Sequence, residues 1–169
     1  MFFLKDLPTD VSLQEFSRRF PNMNPSALKT CAELMRTGSD LMAVFETVLG
    51  KFGLSQGRLL VLIVMNRTPH EAVNPSFLAE KLGVTRATMT GLLNGLKTGD
   101  FIERVADPRD RRRIGVHLTP EGRRVLEKLL PDYYRNMARL TAGLSENERQ
   151  TMLSLLVKIN QKLNSLSAI

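Results

Sequence analysis

From Pro25 to Phe52 the apolar residues recur at three- and four-residue steps: Leu28, Cys31, Met35, Met42, Phe45, Val48 or Leu49, and Phe52. That spacing lines one face of a helix and predicts a long amphipathic element, interrupted once by Gly38 and stopped by Gly53. Ser55 caps a second helix through Leu59, Leu62, Ile63 and Met65, which ends before Pro69. This one is apolar on most sides, which places it centrally. Residues 1–24, punctuated by Pro8, Pro21 and Asn22, read as irregular or weakly helical.

The rhythm then changes. In "VNPSFLAEKLGVTRATMTGLLNGLKTGDFIERV", Asn74 as N-cap and Pro75 at the first helical position open a short helix that Gly83 ends. Thr85 caps another, running to about Lys97. After Gly99, "FIERV" alternates as a strand does, and "IGVHLT" is its expected partner. Between them lies an arginine-rich tip whose Pro108 cannot donate a backbone hydrogen bond and disfavours helix in the residue before it. The tail is helical again. One stripe comprises Leu126, Leu129 or Leu130, Tyr133, Met137 and Leu140; a second, after a Ser145–Glu148 capping box, comprises Met152, Leu156, Ile159, Leu163 and Leu166.

Composition narrows the function. The longest unbroken apolar run, Leu59 to Met65, falls far short of the ~20 residues of a membrane span. Asp6, Pro8 and Asp10 argue against a secretory signal, so a cytoplasmic location is expected. Cys31 is the single cysteine, and with only His70 and His117 beside it neither a disulfide nor a structural metal is expected, nor any cofactor. The net charge of +7 favours polyanionic partners, and it is unevenly spread: Arg104 to Arg113 carries five arginines against two aspartates. No nucleophile elbow, phosphate-binding glycine loop or paired metal ligands point to an enzyme.

Within Pro75 to Asn94, Ala79 is small where two helices approach and Gly83 sits where the turn needs a positive φ; Leu78, Leu82, Val84, Met89 and Leu92 are spaced to pack the helices together. This is the layout of a helix-turn-helix. With Met89, Leu92, Leu93 and Leu96 inward, the helical period turns Arg86, Ala87, Thr90, Gly91 and Asn94 outward. Small and hydrogen-bonding residues without a carboxylate suit a helix laid in the major groove, where Thr methyl meets thymine and Arg and Asn bond guanine and adenine edges. The expected DNA contacts are therefore Thr85, Arg86, Ala87, Thr88, Thr90 and Asn94, with Arg109, Arg111, Arg112 and Arg113 at a wing tip that Asp107 and Asp110 hold in shape. The plain alternatives are an αα-hairpin without a ligand, a solvated charge run, and a winged helix that docks protein.

The stretch "FLAEKLGVTRATMTGLLNGLKTGDFIERVADPRDRRRIGVHLTPEG" resembles the core of the MarR family of winged-helix regulators, including the "DPRDRR" wing and the "LTPEG" that opens the next helix. The resemblance covers roughly residues 27–166. It implies a mainly α fold with a small β-wing, in which a winged helix-turn-helix DNA-binding domain (54–119) is flanked by helical dimerisation segments (25–53 and 120–169), with residues 1–24 as an N-terminal extension. It further implies a homodimer reading a pseudo-palindrome whose half-sites lie about ten base pairs apart, most family members repressing by occupying promoters. The tail stripes agree, holding more Leu, Met and Ile than one winged domain buries.

Family members often release DNA when a small phenolic or lipophilic effector enters the crevice beside the DNA-binding part. Met42, Phe45, Arg58 and Leu62 are the candidates here, with Arg58 as partner for a carboxylate. One branch instead senses hydroperoxides through a cysteine placed much as Cys31 is. In this chain Gln56 stands where that branch has a tyrosine, and a buried structural cysteine is the preferred reading.

Overall fold

The computed structural model describes residues 8–106 and 114–166. The chain runs α1 (Asp10–Arg19), α2 (Pro25–Gly50), α3 (Gln56–Met65), α4 (Pro75–Leu82), α5 (Arg86–Thr98), β1 (Ile102–Ala106), β2 (Ile114–Leu118), α6 (Pro120–Leu140) and α7 (Glu146–Leu166). It divides into two compact units, Met1–Arg123 and Arg124–Ile169, with α6 beginning in the first and continuing into the second. No helix among the described residues is long and apolar enough to cross a membrane.

In the first unit the core gathers around α3. Leu59, Val61, Leu62 and Met65 are buried, and the helix packs against α2, α4, α5 and β2, as its apolar character on most sides predicts. Each helix start is marked by a side-chain cap: the Oδ1 of Asn24 and of Asn74, and the Oγ of Ser55 and Thr85, accept backbone N–H groups of the first turn. α4 closes with Gly83 at φ 64°, donating its N–H to Glu80 O while Val84 N–H reaches Ala79 O. A left-handed residue is required there, and glycine adopts it without a Cβ penalty.

β1 and β2 pair antiparallel with Ile102 opposite Leu118 and Arg104 opposite Val116. A single bridge on the other side of β2, Val73 to Val116, exchanges two backbone hydrogen bonds of 2.9 Å. The base of the ribbon is tied by one buried threonine. Thr119 Oγ1 donates to Asp100 O at 2.6 Å and accepts the Gly122 N–H at 3.0 Å, so the exit of α5, the end of β2 and the start of α6 share one hydroxyl.

The second unit is the rest of α6 and α7. α6 passes through Pro131, and Val125, Leu126, Leu129 and Tyr133 are buried. The turn into α7 is the expected capping box: Ser145 N–H donates to Glu148 Oε2 at 2.7 Å and Glu148 N–H to Ser145 Oγ at 3.4 Å. Two exposed carboxylates of this turn lie below their ordinary pKa: Glu148 through hydrogen bonds from the Ser145 side chain and backbone, and Glu146 through those from Gln150 and Arg149.

Two readings of the sequence need correction, on residues 10–19 and on Cys31. Residues 10–19, expected to be irregular or weakly helical, form α1, capped by the Thr9 side chain, tethered by a 2.7 Å ion pair from Lys29 to Asp10 and anchored by buried Leu13. The apolar stripe of α2 is covered only at its C-terminal end: Phe45 and Leu49 are buried, whereas Leu28, Met35 and Met42 are exposed. Cys31 is exposed as well and is not a core cysteine of its own chain. The period of a helix locates its apolar face but not what covers it.

Candidate nucleic-acid interface

α5 carries the expected inward face. Met89, Leu93 and Leu96 are buried and Leu92 is half-buried, which leaves Arg86, Ala87, Thr90, Gly91 and Asn94 exposed along the opposite side. Thr85 and Thr88 are exposed at the helix start, where their hydroxyls share a 2.9 Å hydrogen bond and Thr85 Oγ1 accepts the Thr88 N–H at 3.1 Å. Thr90 donates its hydroxyl hydrogen to Arg86 O at 2.9 Å, which leaves its methyl and the acceptor lone pairs of Oγ1 to offer.

No acidic residue occupies the first turn, and Arg86 is the first helical residue. A cation at that end opposes the helix dipole by about 0.3–1 kcal/mol, and an approaching anion reverses the sign. Five of the residues singled out in the sequence are thus exposed on α5, and the sixth, Thr85, is exposed as its N-cap. Asp107, Arg109, Asp110, Arg111, Arg112 and Arg113 lie outside the described residues.

Arg104 was not singled out. From β1 its Nη2 donates to Asn94 Oδ1 at 2.9 Å, joining the ribbon to the exposed face of α5. The signal was present in the alternation: Ile102 and Arg104 share a strand face, and their partners Leu118 and Val116 are both buried. An arginine at an inward-facing strand position implies a task at the end of its stem.

The effector candidates are less convergent. Phe45 and Leu62 are core residues, and Met42 is exposed. Arg58 is half-buried, donates a long 3.4 Å hydrogen bond from Nη1 to Gly53 O, and lies flat across α5 where Gly95 has no side chain; a Cβ there would fall on the guanidinium. A cleft of about 220 Å³ lies elsewhere, between α1 and α2, lined by Asp10, Leu13, Gln14, Pro25, Ser26 and Lys29.

A buried helix pair joined by a left-handed glycine turn, followed by a carboxylate-free helix face and a two-stranded ribbon, is the winged helix-turn-helix. The family model described as "MarR family" matches residues 52–113, which hold α3 to β1 and the tip between the strands. Over those residues the chain is similar to the MarR family. The chain is 28% identical over 161 residues to the HTH-type transcriptional repressor YetL of Bacillus subtilis, covering 95% of this chain and 96% of YetL. Among solved structures it resembles Streptococcus pneumoniae FabT in complex with DNA (TM-score 0.66, 26% identity, 83% of this chain and 99% of FabT). It also resembles Bordetella bronchiseptica BpsR, whose DNA binding is regulated by 6-hydroxynicotinic acid (TM-score 0.65, 25% identity, 78% of this chain and 98% of BpsR). YetL is by name a transcriptional repressor, and FabT is seen in complex with DNA.

Proposed function

We propose that this chain is a sequence-specific duplex-DNA-binding regulator of the cytoplasm that acts as a homodimer and represses by occupying a pseudo-palindromic operator. The observation that carries the reading is the exposed face of α5: Arg86, Ala87, Thr90, Gly91 and Asn94 without a carboxylate, on a helix whose first turn awaits an anion. Residues 54–119 would read DNA, Arg86 through a guanine edge and Thr90 through a thymine methyl, with Thr85, Ala87 and Thr88 close to the groove wall. Arg109, Arg111, Arg112 and Arg113 would carry the wing's contact, braced by Asp107 and Asp110. That the full-length relative YetL is a repressor supports the direction of control.

Residues 25–53 and 120–169 would form the dimer. Leu28, Met35 and Met42, seven residues apart on α2, and Met137 and Leu140 on α6 are exposed in the single chain, and Cys31 lies on the same α2 stripe. Residues 1–24 extend this region. An anionic effector that drew Arg58 off Gly95 would disturb α5 directly, and the control of BpsR by a small aromatic acid supports a ligand of that class.

The test is to incubate the purified protein with random duplex DNA at about 0.15 M salt and sequence what stays bound, since exposed charge attraction is partly screened there. A pseudo-palindrome with half-site centres ~10 base pairs apart is expected. An unenriched pool refutes sequence reading and moves protein docking to first place.

A further inference from the structure

Asn94 is exposed on α5, and one atom of its amide is already engaged. Arginine carries only donors, so the 2.9 Å contact from Arg104 Nη2 fixes the carboxamide with its oxygen toward β1 and its NH2 turned away. Reading adenine requires both atoms, the oxygen accepting from N6 and the nitrogen donating to N7. With Arg104 on one of the two lone pairs of Oδ1 and its charge beside the amide, Asn94 and Arg104 together present chiefly N–H donors and one positive charge. Position decides which acceptor they meet. Asn94 lies eight residues after Arg86, about 12 Å along the helix axis. Recognition helices touch base edges with their N-terminal residues, so the far end faces the sugar–phosphate wall.

We propose that Arg104 and Asn94 form a clamp for one DNA phosphate per protomer, Arg104 supplying the charge and holding the amide so that Asn94 presents its NH2 to the same phosphate. This rests on the DNA-binding reading above, and it divides the helix: the Arg86 end reads sequence, while the Asn94 end sets register. Arg104 is well suited because its stem leaves β1 on the face shared with buried Val116, and its guanidinium reaches Asn94 from there. Both residues are exposed, and an exposed pair contributes little to folding.

The experiment compares the full-length protein with Asn94→Ala, Arg104→Met and the double variant, measuring affinity for selected and unrelated duplexes from 50 to 300 mM salt. Arg104→Met keeps an unbranched stem and removes charge and donors; Arg104→Gln replaces it if thermal unfolding shows a misfolded protein. Arg104→Met should weaken all duplexes alike, by about tenfold, and lower the salt slope by about 0.9 per bound copy. Asn94→Ala should weaken all duplexes alike with its slope nearly unchanged, and the double variant should lose less than the two single losses multiplied together. A changed base preference at any half-site position in either variant overturns the clamp, as does an unaltered slope in Arg104→Met. If the wild type itself fails to discriminate duplexes, the DNA-reading assignment falls and the clamp with it; if the wild type discriminates and only the slope test fails, the clamp alone falls.

Discussion

Thr119→Val is a near-isosteric change at the point where α5, β2 and α6 meet. It removes the hydroxyl of a residue that is 7% exposed, and that hydroxyl has two partners, the Asp100 carbonyl at 2.6 Å and the Gly122 N–H at 3.0 Å. Loss of the helix cap costs about 1 kcal/mol, and leaving the carbonyl unpaired costs about 1–3 kcal/mol. The added methyl returns about 0.8 kcal/mol through burial. The net loss is therefore about 2 kcal/mol, some thirtyfold in the folding equilibrium. Water cannot be expected to replace the hydroxyl cheaply, because Gly122 is itself buried and so close to Phe101 O that even a Cβ would collide with it. Urea unfolding at fixed protein concentration reads the loss as a lower midpoint with unchanged slope. Thr119→Ser keeps the hydroxyl and should stay within about 1 kcal/mol of the wild type, the worth of one buried methyl. A Val variant within about 0.5 kcal/mol of wild type, or a Ser variant less stable than the Val variant, would refute the hydrogen-bond account, since both results mean that packing alone matters there.

Two further outcomes follow from local geometry. Asp100 sits at φ 58° just past α5, with Phe101 N–H bonded to Leu96 O and Asp100 N–H to Lys97 O, and this left-handed position favours glycine. Asp100→Gly should raise the urea midpoint by the equivalent of about 0.5–1 kcal/mol; a lower midpoint would show that the carboxylate has a role. At the start of α7, the lowered pKa of Glu148 and Glu146 means that their support is present above their unfolded pKa values and is lost as pH falls through the folded ones. Amide exchange around residues 145–150 should therefore accelerate from pH 5 toward pH 3 more than that of α3, after correction for intrinsic rates, and Glu148→Gln should blunt the change.

The elements around the site were legible because their punctuation is local. Asn74, Pro75, Gly83 and Thr85 bound α4 and its turn within a dozen residues, and each acts through a backbone group no more than five residues away. α1 was not legible in that way. Its ten residues bury only Leu13, and its ion pair joins Asp10 to Lys29, 19 positions on. The Val73–Val116 bridge is a single residue pair and leaves no period to read. The face of α5 followed from the spacing of Met89, Leu93 and Leu96, but the occupation of Asn94 by Arg104 did not, because a charge run invites counting and hides the strand phase of its first member.

The seat of Arg58 on α5 has an evolutionary consequence. A glycine in mid-helix costs about 1 kcal/mol relative to alanine, and α5 bears that cost at Gly95, where any Cβ would meet the guanidinium. Positions 58 and 95 are therefore coupled, since a methyl at 95 needs the end of the arginine to swing aside. A lineage that shortens residue 58 can place alanine at 95 and gain a stiffer helix with nothing to displace, whereas one that keeps the arginine must also re-seat its guanidinium.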